Sequence, residues 1–166
     1  MGIPAPGQTR TPGQSTFSED VLKIELCGPS KPHLSVIDVP GIFRTPTEGL
    51  TTKDDMSIVR RMVHRYIENS STIILAVIPA NVDIATQEIL TMADDVDPTG
   101  QRTLGVITKP DLVDEGAEQE VMDLVLGRRK RLNLGYFIVR NRGQKDQGTS
   151  TEDRHRQEAD FFNTNP

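Results

Sequence analysis

Apolar and polar residues alternate in two segments early in the chain and give way to unbroken apolar runs later. Residues 21–26, VLKIEL, alternate and predict a strand with one covered face. Residues 34–39, LSVIDV, predict a second strand, and GPSKP at 28–32 is a turn signal, so the two segments predict an antiparallel hairpin. IILAVIP at 73–79, TLGVIT at 103–108 and YFIV at 136–139 are continuous apolar stretches with polar flanks. That is the pattern of strands covered on both faces.

Between the strands the period changes to that of helices. Within 54–69, Val59, Met62, Val63, Tyr66 and Ile67 fall on one stripe, while Arg60, Arg61 and Arg65 lie off it and read as a solvated face. Residues 85–96 predict a second helix, stopped by the DPTG turn at 97–100. Residues 116–126 predict a third, with Val121, Leu124 and Val125 on one side, and 152–162 a polar fourth. Strands alternating with helices predict an α/β fold: a mostly parallel sheet with helices on both faces and one antiparallel edge hairpin. The first sixteen residues, MGIPAPGQTRTPGQST, are too poor in apolar side chains to build a core and predict a disordered leader, so the domain is expected over 17–166.

The 166 residues suffice for one domain with a core, and the net charge of −5 excludes a non-specific nucleic-acid binder. A single cysteine, Cys27, excludes an internal disulfide and reads as a small buried or half-buried apolar residue. No apolar run reaches membrane-spanning length and no secretory signal is visible, which predicts a cytoplasmic protein. His33, His64 and His155 have no metal-type spacing, and the basic run at 128–131, RRKR, reads as a helix-end cluster rather than a lipid-binding patch.

In a parallel sheet, ligands bind beyond the carboxyl ends of the strands. Those ends here read Asp38-Val39-Pro40-Gly41, Thr108-Lys109-Pro110-Asp111, and Arg140-Asn141-Arg142-Gly143-Gln144. A carboxylate at a strand tip, Asp38, can hold magnesium through water, and Gly41 lets the backbone approach a phosphate. Asp111 can accept from N1–H and the 2-amino group of guanine, a donor pair that adenine lacks. The apolar stem of Lys109 can lie along the base, and Asn141, Arg142 and Gln144 can close its other side. Either short motif alone is also an ordinary strand end. Both together, in this order, point to a guanine-nucleotide site.

Four stretches carry a family resemblance: LSVIDVPGIF, RRMVHRYIENSSTIILAVIPANVDIATQEIL, DPTGQRTLGVITKPDLVDEG and NLGYFIVRNRGQKD. From residue 17 onward the chain resembles the GTPase domain of the dynamin superfamily of large GTPases, in its fungal dynamin/Mx-like branch. The resemblance implies a P-loop-NTPase-like fold, incomplete at its N-terminal side, with GTP or GDP and Mg2+ as ligands. It implies that Asp38 is the magnesium-linked aspartate and Gly41 the glycine that senses the γ-phosphate. Thr108, Lys109 and Asp111 match the guanine-specificity motif. Asn141, Arg142 and Gln144 match the last base-contacting segment, which family members also use near a dimer contact across the nucleotide face. Members hydrolyse GTP, self-assemble and remodel membranes, some bind microtubules, and they sit peripherally on organelle membranes.

One element of that pattern is missing. These 166 residues contain no G-x-x-x-x-G-K-[ST], and no matching switch-threonine segment precedes residue 21. The expectation is therefore a GTPase-type domain deficient in hydrolysis. The other readings are a non-catalytic module that dimerises with or regulates a complete dynamin-like protein, and a gene fragment without function of its own.

Overall fold

A computed structural model describes residues 16–48, 50–83, 87–146 and 148–164. The expected leader falls, but for Thr16, on residues outside the described ones. The chain divides into two compact units, Met1–Asn69 and Ser70–Pro166. Among the described residues, no helix is long and apolar enough to cross a membrane.

The first unit is organised around helix α1, Lys53–Ile67. Thr52 caps it: its hydroxyl accepts from the Asp55 amide (3.2 Å), and the Thr52 amide donates to the Asp55 carboxylate (2.9 Å). Asp55 is buried and also accepts from the Thr16 amide at 3.2 Å, so one carboxylate ties down both the helix start and the incoming chain. Val59, Val63 and Ile67 are buried along one stripe, with Met62 and Tyr66 beside it half-buried. Of the off-stripe arginines, Arg61 and Arg65 reach Glu19, at 2.8 and 3.8 Å.

The expected hairpin is not formed. The turn is present, with the Lys31 amide donating to the Gly28 carbonyl at 3.1 Å, but residues 21–26 and 34–39 are not strands and their apolar side chains, apart from the half-buried Val39, are exposed. An isolated two-stranded hairpin is marginal in water, and alternation yields a strand only where a sheet neighbour is available. Cys27, expected buried or half-buried, is exposed for the same reason.

The second unit is an α/β layer. Strands β1 (Ile74–Pro79), β2 (Thr103–Thr108) and β3 (Tyr136–Val139) pair in parallel in the order β1-β2-β3. Helices α2 (Glu88–Val96) and α3 (Glu118–Val125) are the crossovers, and α4 (Thr151–Thr164) follows β3. Ala76, Ile78 and Ile107 of the sheet pack with Leu90 of α2 and Val121 and Leu124 of α3 in one core. Each large aliphatic side chain so buried contributes about 1.5–3 kcal/mol.

Helices α2 and α3 share one face of the sheet, the face that carries this core. Two right-handed crossovers that step the same way across a sheet must lie on the same side. Within this unit the other face stays open: Leu75, Val77 and Phe137 are each more than half exposed. Gly105 shows how tightly the covered face is built. Its register partner is Tyr136, and a Cβ on Gly105 would stand 2.9 Å from the ring Cγ and nearer still to Cδ1 and Cε1.

The amino end of β2 is held by a buried carboxylate. Asp97, just past α2, accepts from the Gln101 amide (3.0 Å), the Arg102 amide (3.0 Å) and the Thr103 hydroxyl (2.6 Å). The Arg102 guanidinium in turn donates to the carbonyls of Thr72 and Val96, each at 3.0 Å. Burial alone would raise the pKa of Asp97. The hydrogen bonds from Thr103, Arg102 and Gln101, with the charge of Arg102, outweigh burial and hold it below the ordinary carboxylate value. A depressed folded-state pKa stabilises above the unfolded value of about 3.9, and that contribution is lost as pH falls through the folded value. Asp97→Asn should cost about 1–3 kcal/mol at neutral pH, because its amide turns a donor toward donors. It should also flatten the acid side of a pH series of urea unfolding curves. An unchanged acid limb would show that Asp97 does not anchor β2.

Candidate functional site

The ladder sets the site. Pro79 pairs with Thr108 and Thr108 with Val139, so β1, β2 and β3 all finish on one row. Adjacent strands lie about 4.8 Å apart, so the loops after β2 and β3 leave the sheet side by side.

The loop after β2 is an arch held at both feet. At the near foot, the Thr108 carbonyl accepts from the Ala80 amide at 2.7 Å and its hydroxyl donates to the Ile78 carbonyl at 3.4 Å. At the far foot, Val113 packs against the core, and its amide donates to the Pro110 carbonyl at 3.3 Å. Between the feet, Pro110–Leu112 forms a single tight helical turn, closed by the Leu112 amide on the Lys109 carbonyl at 3.1 Å. Lys109 and Asp111 are both exposed on the arch.

Lys109 has φ 58° and ψ 44°, and among the described residues no other non-glycine has positive φ. The left-handed region costs an L-residue about 1–2 kcal/mol. A residue before proline is also pushed toward extended backbone, away from helical conformations. The surrounding hydrogen bonds impose this conformation, which is the kind of stored strain that gathers at ligand sites. It is invisible to a pattern reading, because nothing in T-K-P-D spells positive φ at the lysine.

The loop after β3 is shaped by a residue that sequence reasoning did not single out. The Asp146 carboxylate accepts from the Gly143 amide at 3.1 Å, and the Asp146 amide donates to the Gly143 carbonyl at 3.0 Å. This closes a turn over 143–146 that carries Gln144; Asn141 and Arg142 lead into it, and all three are exposed. The spacing G-x-x-D was the available signal. Arg140, at the strand end, places its guanidinium 5.7 Å from the centre of the Phe161 ring of α4, while its Nε has no hydrogen-bond partner among the described residues.

Thr108, Lys109 and Asp111 are thus brought to the same sheet edge as Asn141, Arg142 and Gln144. Asp38 and Gly41 belong to the first unit. Asp38, expected at a strand tip, is exposed and lies in no strand, and a Cβ on Gly41 would meet nothing within 4 Å. Among the described residues, no group of three or more His, Cys, Asp or Glu is placed to hold a metal. A single exposed carboxylate suits a magnesium ion held through water on a bound phosphate, not a protein-built metal cage. The basic run RRKR is locally paired: Arg128 with Asp123 (2.9 Å), Arg129 with Glu120 (3.5 Å) and Lys130 with Asp94.

Comparison with known proteins matches residues 4–110 to the family model described as "Dynamin family", and residues 120–166 to "Dynamin central region". Among curated relatives, the interferon-induced GTP-binding protein Mx of Perca fluviatilis is 46% identical over 150 residues, 89% of this chain and 49% of that protein. The protein of the same name from Dicentrarchus labrax is 44% identical over 151 residues, 90% of this chain and 23% of its own length. Mx1 of Equus caballus is 42% identical over 152 residues, again 90% of this chain and 23% of its own length. The chain therefore spans half or less of the length of these relatives.

The strain at Lys109 makes its own prediction. Lys109→Gly should leave stability to denaturant equal or higher, while Lys109→Val, β-branched at a left-handed position, should lose about 1–2 kcal/mol. The reverse order in urea titrations would contradict the left-handed arch.

Proposed function

The chain belongs to the dynamin family and carries GTPase-domain sequence of that family, and on that premise we propose that it recognises guanine nucleotides through the sheet edge formed by the ends of β2 and β3. Asp111 accepts from N1–H and the 2-amino group of the base. The stem of Lys109 lies along the base and ribose, and Thr108 anchors the arch that presents both. Asn141, Arg142 and Gln144 close the opposite side. The observation that carries the reading is the left-handed Lys109 in a T-K-P-D arch, level in the ladder with the loop of Asn141–Gln144. The printed names of the relatives, GTP-binding proteins, support it.

Phosphate handling is the weaker half of the site. No G-x-x-x-x-G-K-[ST] occurs in these residues, so the phosphates lack the loop amides and lysine that carry most of the electrostatic binding. Magnesium, when bound with the nucleotide, would neutralise phosphate charge; Asp38 and Gly41 are the residues of this chain that the family pattern assigns to the metal's water and to the γ-phosphate. The chain by itself binds GTP or GDP weakly and does not hydrolyse GTP. Residues 17–166 act as the domain and the preceding sixteen as a leader. In the whole protein the same domain serves GTP hydrolysis, self-assembly through the nucleotide face and the central region, and action at membranes, with the cytoplasm as its place of work.

A titration of fluorescent GTP, GDP and ATP analogues against this chain should show weak, guanine-selective binding. Asp111→Asn should abolish the preference for guanine and favour xanthine, because an asparagine amide offers a donor to the xanthine 2-carbonyl where the aspartate offers only acceptors. Equal affinity for adenine and guanine in the unsubstituted chain would overturn the reading, as would tight magnesium-dependent binding for the claim about phosphates.

A further inference from the structure

The loop that follows β3 has nothing to bury. Residues 140–150, RNRGQKDQGTS, include no apolar side chain, so no core can shape them. The two ends are secured by other means. The Arg140 guanidinium lies 5.7 Å from the centre of the Phe161 ring, and at the start of α4 the Ser150 hydroxyl accepts from the Asp153 amide at 3.1 Å. Between those ends the shape rests on hydrogen bonds, and among the described residues Asp146 takes part in every one of them. Its carboxylate accepts from the Gly143 amide at 3.1 Å, its amide donates to the Gly143 carbonyl at 3.0 Å, and its carbonyl accepts from the Thr149 amide at 3.0 Å.

The side-chain bond grips the peptide unit that joins Arg142 to Gly143. Asn141 and Arg142 lie on one side of that peptide and Gln144 on the other. Packing does not hold it. Gly143 is exposed, and a Cβ placed there would meet only the Asp146 carboxylate, at 3.6 Å, with nothing else among the described residues within 4 Å beyond its chain neighbours. Glycine is the most permissive of backbones, so without the carboxylate this peptide is a hinge in the middle of the base-closing segment. We infer that Asp146 is a positioning residue for base recognition: it sets Gln144 against Asn141 and Arg142 before nucleotide arrives, and it does so without touching the base. Its carboxylate is turned back onto the loop's own amide, a hydrogen bond strengthened by the charge of the acceptor. The inference rests on the guanine reading of this sheet edge. What Asp146 adds to affinity is preorganisation, because a loop already ordered need not be ordered by its ligand. Fixing the backbone of one residue corresponds to about a tenfold change in an equilibrium constant.

Amide shifts of the isotope-labelled 166-residue chain, followed during separate titrations with GDP and ADP, test it. Asp146→Ala should weaken GDP binding about tenfold while leaving the far-ultraviolet circular dichroism unchanged. Asp146→Asn keeps a side-chain oxygen that can accept from the Gly143 amide, and should recover most of the loss. Backbone relaxation of the unsubstituted chain without nucleotide gives a second readout that needs no variant: the amides of Asn141, Arg142 and Gln144 should be as rigid on the picosecond to nanosecond scale as those of β2. No preference for GDP over ADP in the unsubstituted chain overturns the guanine reading and this inference with it. A preference for GDP that Asp146→Ala leaves at full affinity overturns the positioning role alone, as does an Asn variant no better than the Ala one, or a loop that is mobile without nucleotide and stiffens only when GDP is added. Should Asp146→Ala fail to fold, the relaxation measurement decides.

Discussion

The parallel ladder that aligns Pro79 with Thr108 and Thr108 with Val139 decides where the polar loops of the second unit can go. Parallel strands deliver all their carboxyl ends to one edge. A register that ends them on one row puts the loops after β2 and β3 at the same height, about one strand spacing apart. The rest of the site follows from that. The left-handed lysine, the tight turn and the half-buried foot at Val113 hold the arch that carries the exposed Asp111. The Asp146 turn holds Gln144 in the neighbouring loop. A slip of one residue would also turn the covered face outward, and the fit of the Tyr136 ring over Gly105 resists such a slip.

The same topology explains what the unit leaves open. Crossovers of one hand, stepping one way, cover one face and leave Leu75, Val77 and Phe137 exposed on the other.

Much of this was legible in the chain. TLGVIT and YFIV became strands at the boundaries read from their apolar runs, and IILAVIP at one residue less, because short apolar runs between helical periods leave few alternatives. Helix α1 was signalled by its stripe and by acids in its first turn. VLKIEL and LSVIDV misled because alternation records what a segment could do beside a neighbour, not whether the neighbour is there. At the candidate site, T-K-P-D did not announce the positive φ of Lys109, which the bonded arch around it holds. Asp38 and Gly41 were read from a short motif that the structure leaves exposed and outside any strand.

The central claim is that the ends of β2 and β3 form one guanine-selective surface that does not depend on the phosphates. Amide chemical shifts of isotope-labelled chain, followed during titration with guanosine and, separately, with adenosine, test it most directly. The account predicts that guanosine moves the amides of Lys109, Asp111, Asn141 and Gln144 together along one binding curve, and that adenosine leaves them in place. Shifts that are absent, equal for the two nucleosides, or confined to one of the two loops would contradict it.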